Sequence, residues 1–299
     1  MGFKKQPILL DSNQKLFLKV KELEQVAPDT IKGYMTLFSV MDKRLQDRLN
    51  YDDENELSVQ MLDFFQKISH YSNAGYNTNY KRAKAYFNYL VKIKKLENNP
   101  LTLMGIKERK EEFNPKPCDT EDLKKLLKVI DVDTYAGLRD YTAILLIVDT
   151  GIRPAEAFRL IDTDVVFEKN IINIRKEVAK TSQARVLPVS VKVMIYVRAL
   201  LKYNKSEYVF ATINGDQFST DRFRTRMKKY CWYADVHITP YQLRHYFGTE
   251  YARSDNCNIL YLQKILGHSK LEMTRRYVKI ETEDLARNHK LASPIDKLD

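Results

Sequence analysis

Apolar residues recur at three- and four-residue steps over 29–49, through Ile31, Tyr34, Met35, Phe38, Met41, Leu45 and Leu49, which predicts one amphipathic helix. Comparable stripes run through Leu16, Val20 and Leu23, through Val59, Leu62, Phe65 and Ile68, and through Ala83, Tyr86, Phe87, Leu90 and Val91. Residues 1–107 therefore read as a helical domain. Pro100 closes the last stripe, because proline lacks a backbone donor and restricts the residue before it. The charged stretch 108–117, with Pro115 and Pro117, reads as a linker.

Beyond it, Asp119 or Thr120 is a plausible N-cap for a stripe through Leu123, Leu126, Leu127 and Ile130, and an apolar helix follows over 135–150. The period changes over 165–189, where short β-branched runs broken by turn residues predict three strands in an antiparallel meander. Helical patterns resume over 190–203, 219–230, 240–253, 259–266 and 271–280. The fold class is mainly α with a small antiparallel β-sheet, the second domain spanning 118–280 and a tail covering 281–299.

Charge narrows the partner. Fifty Lys and Arg against 39 Asp and Glu leave a net +11, which favours a polyanion, nucleic acid ahead of an acidic membrane surface. The longest apolar run, 143–148, is far short of the roughly 20 residues a bilayer requires, so no membrane partner is expected. The amino-terminus has a stub of apolar residues followed by charge, so no signal peptide is read and the expected location is cytoplasmic. Cys118, Cys231 and Cys257 form no CxxC pair and read as ordinary thiols. GxxxxGK[ST], GxGxxG and HExxH are all missing, so the expected chemistry uses neither a cofactor nor a metal.

Five boxes carry that chemistry in order: Arg153 in TGIRPAE, Lys180 in AKTSQAR, Arg244 in YQLRHYFGT, His268 in LGHS, and Tyr277 nine residues after that histidine. At these positions the chain resembles the tyrosine recombinases, the family of phage and transposon integrases and Xer-type chromosome-dimer resolvases. The resemblance covers the second half by motif and the first half as a helical, SAM-like core-binding domain ending in an Asn-Pro dipeptide. It departs at Tyr241, where the family usually has histidine three residues before the second arginine. A phenol titrates near pH 10, too high for an effective base at neutral pH. His245 is no simple replacement, because consecutive helical residues point about 100° apart.

The resemblance implies strand cleavage through a 3′-phosphotyrosine. Arg153 and Arg244 would each offer planar paired donors to the phosphate, His268 a third donor, and Tyr277 the nucleophile. Lys180, in the turn between Glu177 and Arg185, would protonate the leaving 5′-oxygen, with Lys176 the alternative. Glu156 reads as structural support, Gly267 as a helix C-cap, and Arg159, Arg175 and Arg185 as solvated or phosphate-backbone charges. DNA contacts are assigned to Lys81, Arg82 and Lys84 in the first domain and to Arg222, Arg226 and Lys229 in the second. His70, His237 and His289 lie in no box and read as structural.

The implied partners are double-stranded DNA, three further copies of the chain in a homo-tetramer on two paired sites, and an accessory protein, with the 281–299 tail packing in trans. No arm-binding domain is read before the first bundle, so a simple recombination site is expected. Integrase of a mobile element ranks first. An Xer-type resolvase, a DNA-binding accessory protein that has lost catalysis through Tyr241, and a type IB topoisomerase stay open.

Overall fold

Asp11 opens the first helix, α1 (Ser12–Leu23), by accepting from the Gln14 amide at 2.8 Å while the Gln14 side chain accepts from the Asp11 amide at 3.2 Å. This reciprocal box satisfies two of the donors that a helix start leaves unpaired. The computed structural model describes residues 10–45, 48–110, 116–179, 183–203, 205–254, 257–278 and 289. It divides into two compact units, Met1–Glu112 and Phe113–Asp299.

In the first unit α1 is followed by α2 (Pro28–Arg44), α3 (Glu54–Lys67), α4 (Asn73–Lys92) and α5 (Pro100–Leu103). Their shared core holds Phe17, Leu37, Phe38, Leu57, Met61, Phe64, Tyr86, Phe87 and Leu90. Phe17 meets Tyr34 and Tyr86 edge-on, with centroids 4.8 and 5.3 Å apart. The Asn99 carbonyl oxygen caps α5 through the Leu101 amide at 2.9 Å, while its amide nitrogen donates to Asn88 on α4 at 2.7 Å. The Asn-Pro dipeptide thus starts one helix and ties it to another.

Three sequence expectations need correction here. α1 buries Phe17 and Leu18 while Leu16 and Leu23 face outward, because the i, i+3 rule draws more than one stripe through so apolar a segment. α3 likewise turns Leu57, Met61, Phe64, Phe65 and Ile68 inward and leaves Val59 exposed. The helix expected to reach Leu49 stops at Arg44, where Leu45 takes extended backbone with ψ 142°.

The first part of the expected linker is held fast. Asn77 brackets Arg109, accepting from its amide and donating to its carbonyl, both at 2.8 Å, and the Arg109 guanidinium lies 3.8 Å from the Tyr76 ring centroid.

The second unit runs through α6 (Thr120–Lys128), α7 (Tyr135–Thr150), α8 (Pro154–Ala157), β1 (Val165–Val166), β2 (Ile171–Ile174), β3 (Arg185–Pro188), α9 (Val191–Tyr203), α10 (Thr220–Ala234), α11 (Pro240–Arg253), α12 (Ile259–Leu266) and α13 (Leu271–Arg275). α7 packs between α9 and α11 and is buried on most sides. The strands form an antiparallel meander in the order β1, β2, β3, with Ile172 opposite both Val165 and Leu187. α13 ends at Arg275, short of the expected 280. α10 runs past Tyr230 to Ala234, where Asp235 stops it in the left-handed region.

A buried polar network crosses this unit. Asp140, fully buried on α7, accepts from Arg139 at 2.9 Å, from the Tyr230 hydroxyl at 2.9 Å and from Arg226. A buried carboxylate requires such partners, because burial costs a charge several kcal/mol unless it is paired and hydrogen-bonded.

Candidate active site

Two helices of the second unit stop on glycines in the left-handed region, and their ends frame the candidate site. α7 ends at Gly151 with φ 63°, where an added Cβ would lie 2.3 Å from Phe247 and 2.7 Å from Leu266. Glycine alone permits that turn and that approach. The turn delivers Arg153 to the start of α8. α12 ends at Gly267 with φ 62°, and the last carbonyls of a helix lack partners within it.

The two arginines take up these carbonyls. Arg153 donates to the Gly267 carbonyl at 3.0 Å and to Glu156 at 3.0 Å. Arg244, on α11, donates to the Leu266 carbonyl at 2.8 Å and to the Gly151 carbonyl at 2.6 Å. Neighbouring carbonyls at the negative end of α12 thus hold two like charges together, and the helix dipole offsets part of their repulsion. Burial, and then Arg153, pull Arg244 down to about 10, so it stays charged at neutral pH. A guanidinium has five N–H donors, so each arginine keeps donors for a phosphate. The Arg153 side chain is 14% exposed and Arg244 only 2%, which makes Arg153 the more accessible of the two.

Glu156 stands behind this pair. It accepts from Arg185 at 2.5 Å as well as from Arg153. Burial pushes its carboxyl upward, but the two guanidiniums outweigh burial and hold it below the usual carboxylate range. Arg185 also donates to the Ile265 carbonyl at 2.8 Å. The expectation of a solvated or DNA-facing Arg185 is therefore corrected: it is buried with its partner. Arg175 is likewise paired, with Asp164 at 2.8 Å.

His268 follows Gly267 and is buried. Its Nε2 lies 3.1 Å from Arg244 and its Nδ1 2.9 Å from the Thr274 hydroxyl. Because a guanidinium only donates, Nε2 must accept, which places the ring proton on Nδ1, donating to Thr274. Burial, Arg244 and Arg153 together depress His268 to about 3. The Tyr277 ring stacks beside it, with centroids 6.2 Å apart and planes 9° from parallel.

The Tyr277 hydroxyl is 2.8 Å from Nδ1 of His245, and the ring lies over Gly248, where a Cβ would come within 2.7 Å. Burial raises the Tyr277 phenol, with Arg244 pulling the other way. Tyr241 packs edge-on against His245 with centroids 4.6 Å apart and is 54% exposed.

The structure therefore brings Arg153, Glu156, Arg244, His268 and Tyr277 together, with Tyr241 at the rim. Lys180 lies outside the described residues, as does most of the 281–299 tail. Lys176 is exposed. Of the basic residues assigned to DNA, Lys84, Arg222 and Lys229 are exposed and Lys81 pairs with Glu108 at 3.1 Å. Arg82 lies against Gly33, and Arg226 pairs with Asp140.

Sequence reasoning missed His245, Thr274, Gly248 and Arg185 as members of the site. For Arg185 a signal existed: strand alternation puts it on the same face as buried Leu187. For His245 the 100° offset from Arg244 is what turns it toward Tyr277.

The family described as Phage integrase matches residues 117–284. Tyrosine recombinase XerA of Thermococcus kodakarensis is 31% identical over 189 residues, 62% of this chain and 65% of that relative. The chain thus spans about two thirds of that relative's length. Tyrosine recombinase XerA of Pyrococcus horikoshii is 29% identical over 276 residues, 90% of this chain and 89% of that relative. The fold is similar to that of the Tn1549 transposon integrase, solved in complex with a circular intermediate DNA. That match has a TM-score of 0.68 at 23% identity and covers 93% of this chain and 98% of that one.

Proposed function

The chain belongs to the Phage integrase family of tyrosine-type site-specific recombinases, and we propose that it cleaves and rejoins duplex DNA through a covalent bond between Tyr277 and a 3′-phosphate. The observation that carries this reading is the meeting of Arg153, Arg244 and His268 at the end of α12, with Tyr277 stacked on His268.

In the proposed reaction Arg153 and Arg244 hold the two non-bridging oxygens, where negative charge grows in the transition state. As the phosphate replaces Nε2 of His268 at Arg244, the His268 ring proton moves to Nε2 and is donated to the phosphate, while Nδ1 accepts from the Thr274 hydroxyl. The Tyr277 oxygen bonds to phosphorus as the bond to the 5′-oxygen breaks. Lys180 is the proposed donor of the proton that the 5′-oxygen takes up. The phosphotyrosyl bond keeps the energy of the diester, so a 5′-hydroxyl from another strand reverses the step without ATP.

Double-stranded DNA is the proposed substrate, held by four protomers on two paired sites. Within the family we place the chain as integrase of a mobile element, on the strength of Tyr241. The similarity to XerA proteins over most of the chain favours a second reading, chromosome-dimer resolution.

A nicked duplex that loses its 5′-hydroxyl fragment on cleavage tests the chemistry by trapping the covalent adduct. The parent protein is expected to become attached to the DNA. Tyr277→Phe is expected to bind the duplex with nearly unchanged affinity and to form no adduct. An adduct with Tyr277→Phe overturns the proposal.

A further inference from the structure

We infer that His245 is a catalytic residue, the group that takes the phenolic proton of Tyr277 as the phosphotyrosyl bond forms. The inference rests on the reading of Tyr277 as nucleophile. It answers the question raised by Tyr241, which stands where the family usually has histidine, is half exposed, and offers a phenol.

Nδ1 of His245 is within hydrogen-bond distance of the Tyr277 oxygen, at 2.8 Å, and both side chains are buried, so no bulk water competes for the proton. The ring is fixed from two sides, by Tyr241 edge-on and by Tyr277 itself. Gly248, one turn along α11, leaves the space in which the Tyr277 ring lies. His268 is a poorer candidate for this proton, because its Nε2 accepts from Arg244 and its Nδ1 carries the proton given to Thr274.

Charge decides the protonation state. Among the described residues, the titratable and charged groups set against His245 include Arg244 and Tyr241 on its own helix, His268 after α12 and Tyr277 after α13. Burial and Arg244 hold His245 down at about 4, so at neutral pH the imidazole is neutral, and in its Nε2–H tautomer Nδ1 accepts from the Tyr277 hydroxyl. Such an imidazole is a weak base towards a resting phenol. The phenolic proton becomes strongly acidic once its oxygen bonds to phosphorus, and a bound phosphate offsets the Arg244 charge that weakens the base. In the step, the O–H bond of Tyr277 breaks toward Nδ1, the oxygen–phosphorus bond forms, and the bond to the 5′-oxygen breaks. The 5′-oxygen takes its proton from the general acid. In rejoining, the His245 imidazolium returns the proton to the departing Tyr277.

The test is single-turnover adduct formation on the nicked duplex between about pH 6 and 9, for the parent and for His245→Asn. Asparagine keeps a polar group near the position of Nδ1 and cannot take a proton. His245→Asn is expected to be slower by about 10²–10⁴ at neutral pH. Without a base the variant depends on the small fraction of Tyr277 phenolate. The parent-to-variant rate ratio is therefore expected to shrink about tenfold per pH unit as pH rises, while pH effects on the general acid cancel in the ratio. A ratio constant with pH overturns the inference, because loss of positioning alone slows the reaction equally everywhere. A variant as fast as the parent, or faster, overturns it too. An adduct formed equally by Tyr277→Phe instead overturns the reading of the nucleophile, so the two failures are distinct. Should His245→Asn lose DNA binding, His245→Gln gives the same comparison, and the pH dependence of its ratio decides.

Discussion

At the scale of single residues, the site is built from charges that require one another. Glu156 accepts from both Arg153 and Arg185, and the two guanidiniums hold its carboxyl below the usual carboxylate range. Removing one partner of a buried pair leaves the other uncompensated, at a cost of about 3–5 kcal/mol. Arg185→Met leaves Glu156 to Arg153 alone, so the protein is expected to be destabilised by less than that full cost, measured by urea unfolding at neutral pH, although Arg185 itself contacts no substrate in the proposed reaction. The sign with pH follows from the lowered Glu156. Its contribution is fully present above the unfolded value of about 4.3 and is lost as pH falls through the lower folded value. Stability that does not change in Arg185→Met would mean that the buried pair is not worth its desolvation. The proposed catalytic groups Arg153, Arg244, His268 and Tyr277 were legible in the sequence because each sits in a box of fixed spacing. Arg185, His245 and Thr274 were not, since their roles depend on which strand face or helix face meets which neighbour.

At the scale of elements, most helices were legible because their caps are local chemistry. Asp119, Ser219 and Thr239 each accept from an amide at the start of their helices, and Gly151 and Gly267 end theirs. The burial phase of α1 and α3 was harder to read. Each carries apolar residues on more than one face, and only the partners in the core select between Phe17 and Leu16, or between Leu57 and Val59. The extent of α13 was also misjudged, since the pattern through 280 does not distinguish helix from the turn that follows Arg275. Gly248 on α11 lies under the Tyr277 ring, and a Cβ there would meet ring carbons at 2.7 and 2.8 Å. Within a helix alanine is favoured over glycine by roughly 0.5–1 kcal/mol, so helix propensity favours Gly248→Ala. The ring, however, must move off His245. Gly248→Ala is expected to bind duplex DNA as the parent does and to lose adduct formation by at least about tenfold, read in the same trapping experiment. Undiminished attachment would show that Tyr277 does not react from the position over α11.

At the scale of the whole molecule, each unit has its own hydrophobic core, one around Phe17, Phe64 and Tyr86 and the other around Ile144, Phe158 and Phe210. Two separately packed units on one chain, with net charge +11, suit a polyanion that both can touch. If both bind the same duplex, the chain between them makes the second contact intramolecular, and linkage of that kind raises avidity by about 10²–10⁴ over separate modules. Each contact also releases counterions from phosphates, so log affinity falls linearly with log salt, with a slope set by the number of phosphates neutralised. Fragments 1–112 and 113–299 are therefore each expected to fold, by circular dichroism and a cooperative thermal transition. An equimolar mixture of the two is expected to bind a recombination-site duplex at least about tenfold more weakly than the intact chain. The salt slope of the intact chain is expected to approach the sum of the fragments' slopes, because the same phosphates are neutralised whether or not the units are joined. Intact chain and mixture binding equally, with the intact slope matching that of one fragment, would mean that a single unit carries the DNA and the other serves a different partner.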